Sequence, residues 1–245
     1  MKKIATLILI SFFTFSTQAQ TWFDIGARGT VGTSFWINSN AYGNSAISPR
    51  LGVSWGAGAR FGINFGEGPG IVFEGMFGQH TAGYKQQMED GSGGTFELKR
   101  KSKMSLAEAN VMFRWLKNSS YVELGPSFAF PLNPTDVDEQ GLYEAPANYF
   151  NKIMYGVTFG VGGLIVGNEK VGLMLGLKVN YNISDLISAD GKSNDYQMVN
   201  PSNNWNFGSY KGTHPLTIQL ALEVNYSLGY LVRASCGKRT YLMSF

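Results

Sequence analysis

The chain has 245 residues, of which 15% are charged and 14% aromatic, with 31 glycines and a formal net charge of +3. Charged residues make up about a quarter of an ordinary soluble domain, so this composition fits a β-protein embedded in a membrane, and the small net charge gives no case for nucleic acid as a partner. A single cysteine, Cys236, excludes an internal disulfide and offers no metal-ligand spacing.

The N-terminus opens with Lys2 and Lys3, continues through an apolar stretch from Ile4 to Phe15 and ends in Ser16-Thr17-Gln18-Ala19. Basic, apolar and small residues in that order form the pattern of a secretory signal peptide cut after Ala19, which leaves residues 20–245 as the exported domain. About a dozen apolar residues fall short of the ~20 that a membrane-crossing helix needs. No later run reaches that length, so any spanning elements must be strands.

A period of two recurs through the remaining chain and predicts eight strands. The first runs from Trp22 to Ile37, with Phe23, Ile25, Val31 and Phe35 on one face and Asp24, Arg28, Thr30 and Ser34 on the other. In the second, Arg50 to Phe65, Leu51, Val53, Trp55, Phe61 and Ile63 oppose Arg50, Ser54, Arg60, Asn64 and several glycines. The third, Ile71 to Tyr84, opposes Ile71, Phe73 and Phe77 to Glu74, Met76 and His80. A fourth, Phe96 to Leu116, and a fifth, Tyr121 to Phe130, flank the short turn Lys117-Asn118-Ser119-Ser120.

The sixth and seventh form the clearest hairpin, Lys152 to Ser184. Ile153, Tyr155, Val157, Phe159, Val161 and Ile165, then Leu173, Leu175, Leu177, Val179 and Tyr181, make its apolar face; glycine, hydroxyl and amide residues make the other, with Lys178 as its charge. The eighth strand runs from Leu216 to Val232. A wide apolar face backed by a narrow polar one suits a wall between lipid and a tight lumen. A soluble barrel enclosing an apolar ligand would need the opposite orientation.

Connections at 66–70, 117–120 and 167–170 are short, whereas 38–49, 85–95, 131–151 and 185–213 are long and polar. Short periplasmic turns alternating with longer outer loops match outer-membrane barrels. The expected fold is therefore an all-β, eight-stranded antiparallel up-and-down transmembrane β-barrel with both termini periplasmic. Phe23, Phe65, Trp115 and Tyr230 would form its periplasmic aromatic belt.

The run Leu106-Ala107-Glu108-Ala109-Asn110-Val111-Met112-Phe113-Arg114-Trp115, followed after a turn by Tyr121-Val122-Glu123-Leu124-Gly125-Pro126, resembles the strand pair of PorT-type outer-membrane barrels. Lys178-Val179-Asn180-Tyr181-Asn182, before a long polar loop and a last strand, resembles that family's end. The resemblance covers about residues 20–232. It departs at Glu108-Ala109-Asn110, where the family more often has an apolar residue and proline, and in the second strand, which lacks the family's usual histidine. It implies an eight-stranded barrel in the outer membrane of a Bacteroidota-like bacterium and, because some members serve type IX protein secretion, an accessory role in that pathway.

The inward register collects Asp24, Glu74, Glu108, Glu123 and Glu223 with Arg28, Arg50, Arg60, Arg114 and Lys178. An eight-stranded lumen is just wide enough to be filled by side chains, and buried charges persist only when paired. These groups are expected to form a salt-bridged network that plugs the barrel. A hairpin centred between Asn118 and Ser119 sets Arg114 opposite Glu123. Lys178, Glu223 and Arg28 fall near mid-strand on neighbouring strands, which suggests Glu223 as an acid between two bases.

For catalysis only His80 and His214 could serve as imidazole bases, and no nucleophile accompanies either locally. A non-enzymatic structural or accessory protein without cofactor or metal is expected, with an outer-membrane enzyme acting on lipid at the outer rim as the alternative. The segment Asp190 to Asp195 lacks the alternating oxygen ligands of a calcium loop. The basic run Lys99, Arg100, Lys101 and Lys103 suits phosphates of lipopolysaccharide or an acidic envelope protein. Outer-membrane lipid is the remaining expected partner.

Overall fold

The computed structural model describes residues 21–41, 45–66, 68–89, 92–117, 119–138, 144–168, 170–194, 196, 198–199, 210–228 and 241–242. The expected signal peptide, Tyr230, the last strand beyond Leu228, and Cys236 lie outside them. Among the described residues no helix is long and apolar enough to cross a membrane, which says nothing of strands.

The strands are β1 (Thr21–Asn38), β2 (Ile47–Arg50), β3 (Gly52–Phe65), β4 (Pro69–Glu89), β5 (Thr95–Lys117), β6 (Ser120–Asp138), β7 (Met154–Gly167), β8 (Val171–Asn182), β9 (Thr213–Leu228) and β10 (Tyr241–Leu242). Eight of them pair antiparallel in a closed ring, β1-β3-β4-β5-β6-β7-β8-β9, with β9 returning to β1. β2 extends the line of β3 along β4, and β10 pairs with Val166 and Gly167 of β7. A short α1 (Ala189–Ser193) lies in the connection between β8 and β9.

The register fixes the shape of the wall. Paired positions followed once round it run from Trp22 through Asn64, Gly70, Arg114, Glu123, Gly160, Lys178 and Gln219 to Gly32, ten residues further along β1. A stagger of that size over eight strands tilts them by about 40° and leaves a lumen that side chains fill. Alternation then sorts residues by face. Phe113, Trp115, Val122, Leu124, Phe159, Leu175, Leu220 and Leu222 point outward, whereas Arg28, Arg114, Lys178, Glu123 and Glu223 are buried inside. On β5 the outward residues Trp115, Phe113, Val111, Ala109 and Ala107 extend about 20 Å along the barrel axis, close to the apolar band a membrane requires.

Three expectations need correction. Segments 85–95 and 131–151 are not simply loops, because β4 continues to Glu89, β5 begins at Thr95 and β6 reaches Asp138. The alternation is hidden there by a register shift between Lys103 and Ser105, opposite Asn133 in the left-handed region at φ 49°. Ile165, expected outward, is half-buried, because a second shift between Leu164 and Val166 exchanges the faces and turns Val166 outward. The segment 185–213 is not only a polar loop. Leu186, Ile187, Tyr196, Met198 and Val199, with Phe150, pack into the outer mouth against Trp36, Tyr84, Met104, Leu106 and Met154 of the wall. The interior thus divides into an apolar outer plug and a charged layer below it.

Candidate functional site

The charged layer is built from alternate residues of seven strands, each aimed inward by the strand period. Glu223 of β9 accepts from Arg28 Nε at 2.9 Å and from Arg114 Nη1 at 2.8 Å, and it also contacts Arg60. Glu123 of β6 accepts from Arg28 Nη1 at 2.8 Å and from Arg114 Nε at 3.0 Å. Arg114 and Glu123 are direct cross-strand partners, and the guanidinium stacks on Tyr121 with 4.0 Å to the ring centroid. Toward the periplasmic end Arg60 meets Asp24 at 3.2 Å, and Asn64 donates to Asp24 at 2.6 Å.

On its outer side the layer continues through Glu74, 2.6 Å from Arg28 Nη1, to Lys178 Nζ, which donates to Glu74 at 2.6 Å and lies 4.0 Å from Glu108. His80 Nε2 ends the chain 3.8 Å from Glu108. Asp24, Arg28, Arg60, Glu74, Glu108, Arg114, Glu123, Lys178 and Glu223 therefore stand in one connected set of contacts.

Lys178 is not a partner of Glu223. Its cross-strand neighbour on β9 is Gln219, and Glu223 lies opposite Met174, nearer the periplasmic end. The lysine reaches Glu74 and Glu108 across the lumen instead. Arg50, expected inside, lies on β2 opposite Gly83, at the outer end of the wall.

The basic run splits. Arg100 turns inward to Asp136 and stands 5.6 Å from the centroid of the Tyr196 ring. Lys99 and Lys85 flank Glu97, at 3.5 and 3.3 Å, and hydrogen bonding first to Lys85 holds that exposed carboxylate below its usual range. Lys101 and Lys103 point outward and are exposed.

Two polar clasps over the apolar plug escaped the sequence reading. Asp136 accepts from Ser102, Arg100 and, at 2.7 Å, the Tyr196 hydroxyl. Asp185 accepts from the Thr213 and Ile187 amides at 2.9 and 3.1 Å, from Lys192 at 2.9 Å, and from Tyr210. Burial pushes the Asp185 carboxyl up, but the hydrogen bonds outweigh it and hold the group below its usual value. Burial and the facing carboxylate push the Tyr210 phenol up. Ser102 and Asp136 are direct cross-strand partners because β6 continues past Phe130. The segment Asp190 to Asp195 overlaps α1, whose Lys192 serves the Asp185 clasp.

His80 is enclosed in the lumen, while His214 is half-buried at the outer end of β9, 6.2 Å from the Tyr181 ring centroid. β3 and β1 separate their strands. Among the described residues no group of histidine, cysteine and acidic side chains is placed to hold a metal ion.

Solved structures with a similar chain path include OprG of Pseudomonas aeruginosa, 14% identical over 87% of this chain and 98% of that one, with a TM-score of 0.42. Neisserial surface protein A is 12% identical over 83% and 96%, with a TM-score of 0.42. Ail, the attachment invasion locus protein of Yersinia pestis, is 8% identical over 84% and 99%, with a TM-score of 0.40. No curated protein matches the sequence. The family model described as outer membrane protein beta-barrel domain matches residues 18–188, a stretch that takes in β1 through β8. On that match the chain belongs to the family of outer-membrane proteins with a β-barrel domain.

Proposed function

We propose that the protein is a closed, non-enzymatic barrel that serves as an anchored accessory component of the outer membrane, meeting its partners at the outer rim and loops. The observation that carries this reading is the filled interior. Charged side chains knit the lower lumen, with Arg28, Arg114, Lys178 and Glu223 fully buried, and apolar residues of the outer connections fill the mouth above them. Such a lumen supports anchoring and presentation of surface, not passage of solutes. Export through a cleaved signal peptide belongs to the same reading, and the PorT-type resemblance favours protein secretion of the type IX kind as the process served.

An enzyme acting on lipid has less support, because His80 faces Glu108 inside the lumen, away from lipid, and His214 lies on a separate part of the wall. Purification from native outer membranes tests the proposal. A stable envelope protein should co-purify, and alanine substitution of His80 and His214 should leave the lipid composition unchanged. Isolation of the barrel alone, together with a lipid modification lost on those substitutions, would replace this reading with the enzymatic one.

A further inference from the structure

At the outer end of the β4–β5–β6 wall most of the acids face inward and most of the bases outward. Asp136 and Asp138 turn inward and are buried, and Arg100 follows them. Lys85, Lys99, Lys101 and Lys103 occupy the opposite, outward register, where Glu97 lies between Lys85 and Lys99. Lys101 and Lys103 carry no ion pair among the described residues. Their direct cross-strand neighbours are Gly83 and Val137 for Lys101, and Thr81 and Thr135 for Lys103, none of them acidic; the exposed Glu144 bridges Val137, one position beyond Lys101.

Lys101 and Lys103 also stand high on the wall. The lipid-facing run on β5 ends at Ala107, and Lys103 and Lys101 stand four and six residues above it on the same face. With the strand tilt, those positions lie about 10–15 Å beyond the apolar band, where headgroups of the outer leaflet begin. Lysine stems cover apolar surface while their ammonium groups reach outward. Two such groups on alternate residues, about 7 Å apart, suit neighbouring phosphates on one headgroup.

We propose that Lys101 and Lys103, flanked by Lys85 and Lys99, form an outward-facing site for the phosphate groups of a phosphorylated glycolipid in the outer leaflet. Positive charge on the protein complements negative charge on the lipid, and the site continues the lipid-facing surface of the wall. The clasp at Asp136 removes Arg100 from it, so the sequence run of basic residues overstates the site.

Native mass spectrometry of the purified full chain, loaded with a bis-phosphorylated glycolipid or its dephosphorylated form, tests this. Wild-type protein should retain the phosphorylated form, with retention falling as salt rises. Lys101→Ser and Lys103→Ser should each lower retention roughly fivefold, as expected for about 1 kcal/mol per surface cation near an anionic headgroup. Lys117→Ser, at the opposite rim, should leave it unchanged. Equal retention by wild type and the double variant, or equal retention of the two lipids, would overturn the site. Should the double variant lose heat-modifiable migration, the single variants and the salt dependence of the wild type decide, and retention indifferent to both would equally overturn it.

Discussion

Glu223 shows how single residues hold the interior. Arg28, Arg60 and Arg114 converge on its carboxylate, all of them buried. Glu223→Gln leaves guanidinium charge uncompensated in a place without bulk water, and the loss should be about 3–5 kcal/mol, read as a lower urea midpoint for the refolded barrel in vesicles. An unchanged midpoint would mean that water reaches the arginines. Asp185 governs the outer clasp with a definite pH sign. Its carboxyl is held below the ordinary value of about 3.9, so its contribution is complete above that value and disappears as pH falls through the folded one. Protection of the Ile187 and Thr213 amides, taken as exchange relative to the intrinsic rate at each pH, should therefore be the same at neutral and mildly acid pH, fall only in strong acid, and be low at neutral pH in Asp185→Asn. At this scale the sequence was legible where a short turn sets register, as for Arg114 and Glu123. It was not legible for Lys178, because the contact with Glu74 depends on the stagger of the whole ring and no local spacing encodes that.

Elements depend on which face a small residue occupies. Gly160 of β7 faces inward, and a Cβ there would lie 2.5–3.0 Å from the Glu123 side chain, whereas Gly75 of β4 faces outward with nothing within 4 Å. Gly160→Val should thus lower thermal stability markedly or block closure, seen as loss of heat-modifiable migration, while Gly75→Val migrates like the wild type. Similar behaviour of the two would place Gly160 on the wrong face. Inner-face glycines next to large charged partners were readable from the period-two pattern. Strand length was not. β5 and β6 continue upward past a bulge, and there Pro131, Asn133 and Pro134 look like turn residues, although the ladder resumes at Thr135 opposite Lys103. The same limit concealed the plug. Leu186, Ile187, Met198 and Val199 are scattered among polar neighbours without a period, and only the closed wall supplies the cavity they fill.

At the scale of the whole molecule, three features act together: a lipid-facing apolar wall, a lumen whose charges are paired with one another, and an outer mouth filled by its own connections. The wall fixes where the protein resides, and the filled lumen directs function to its surfaces, among them the outward lysines proposed as a phosphate site. Single-channel recording of the purified protein in planar bilayers at neutral pH addresses the closed lumen directly. Insertion should occur without regular conductance steps, and a reproducible unitary conductance at each insertion would mean that the lumen is open.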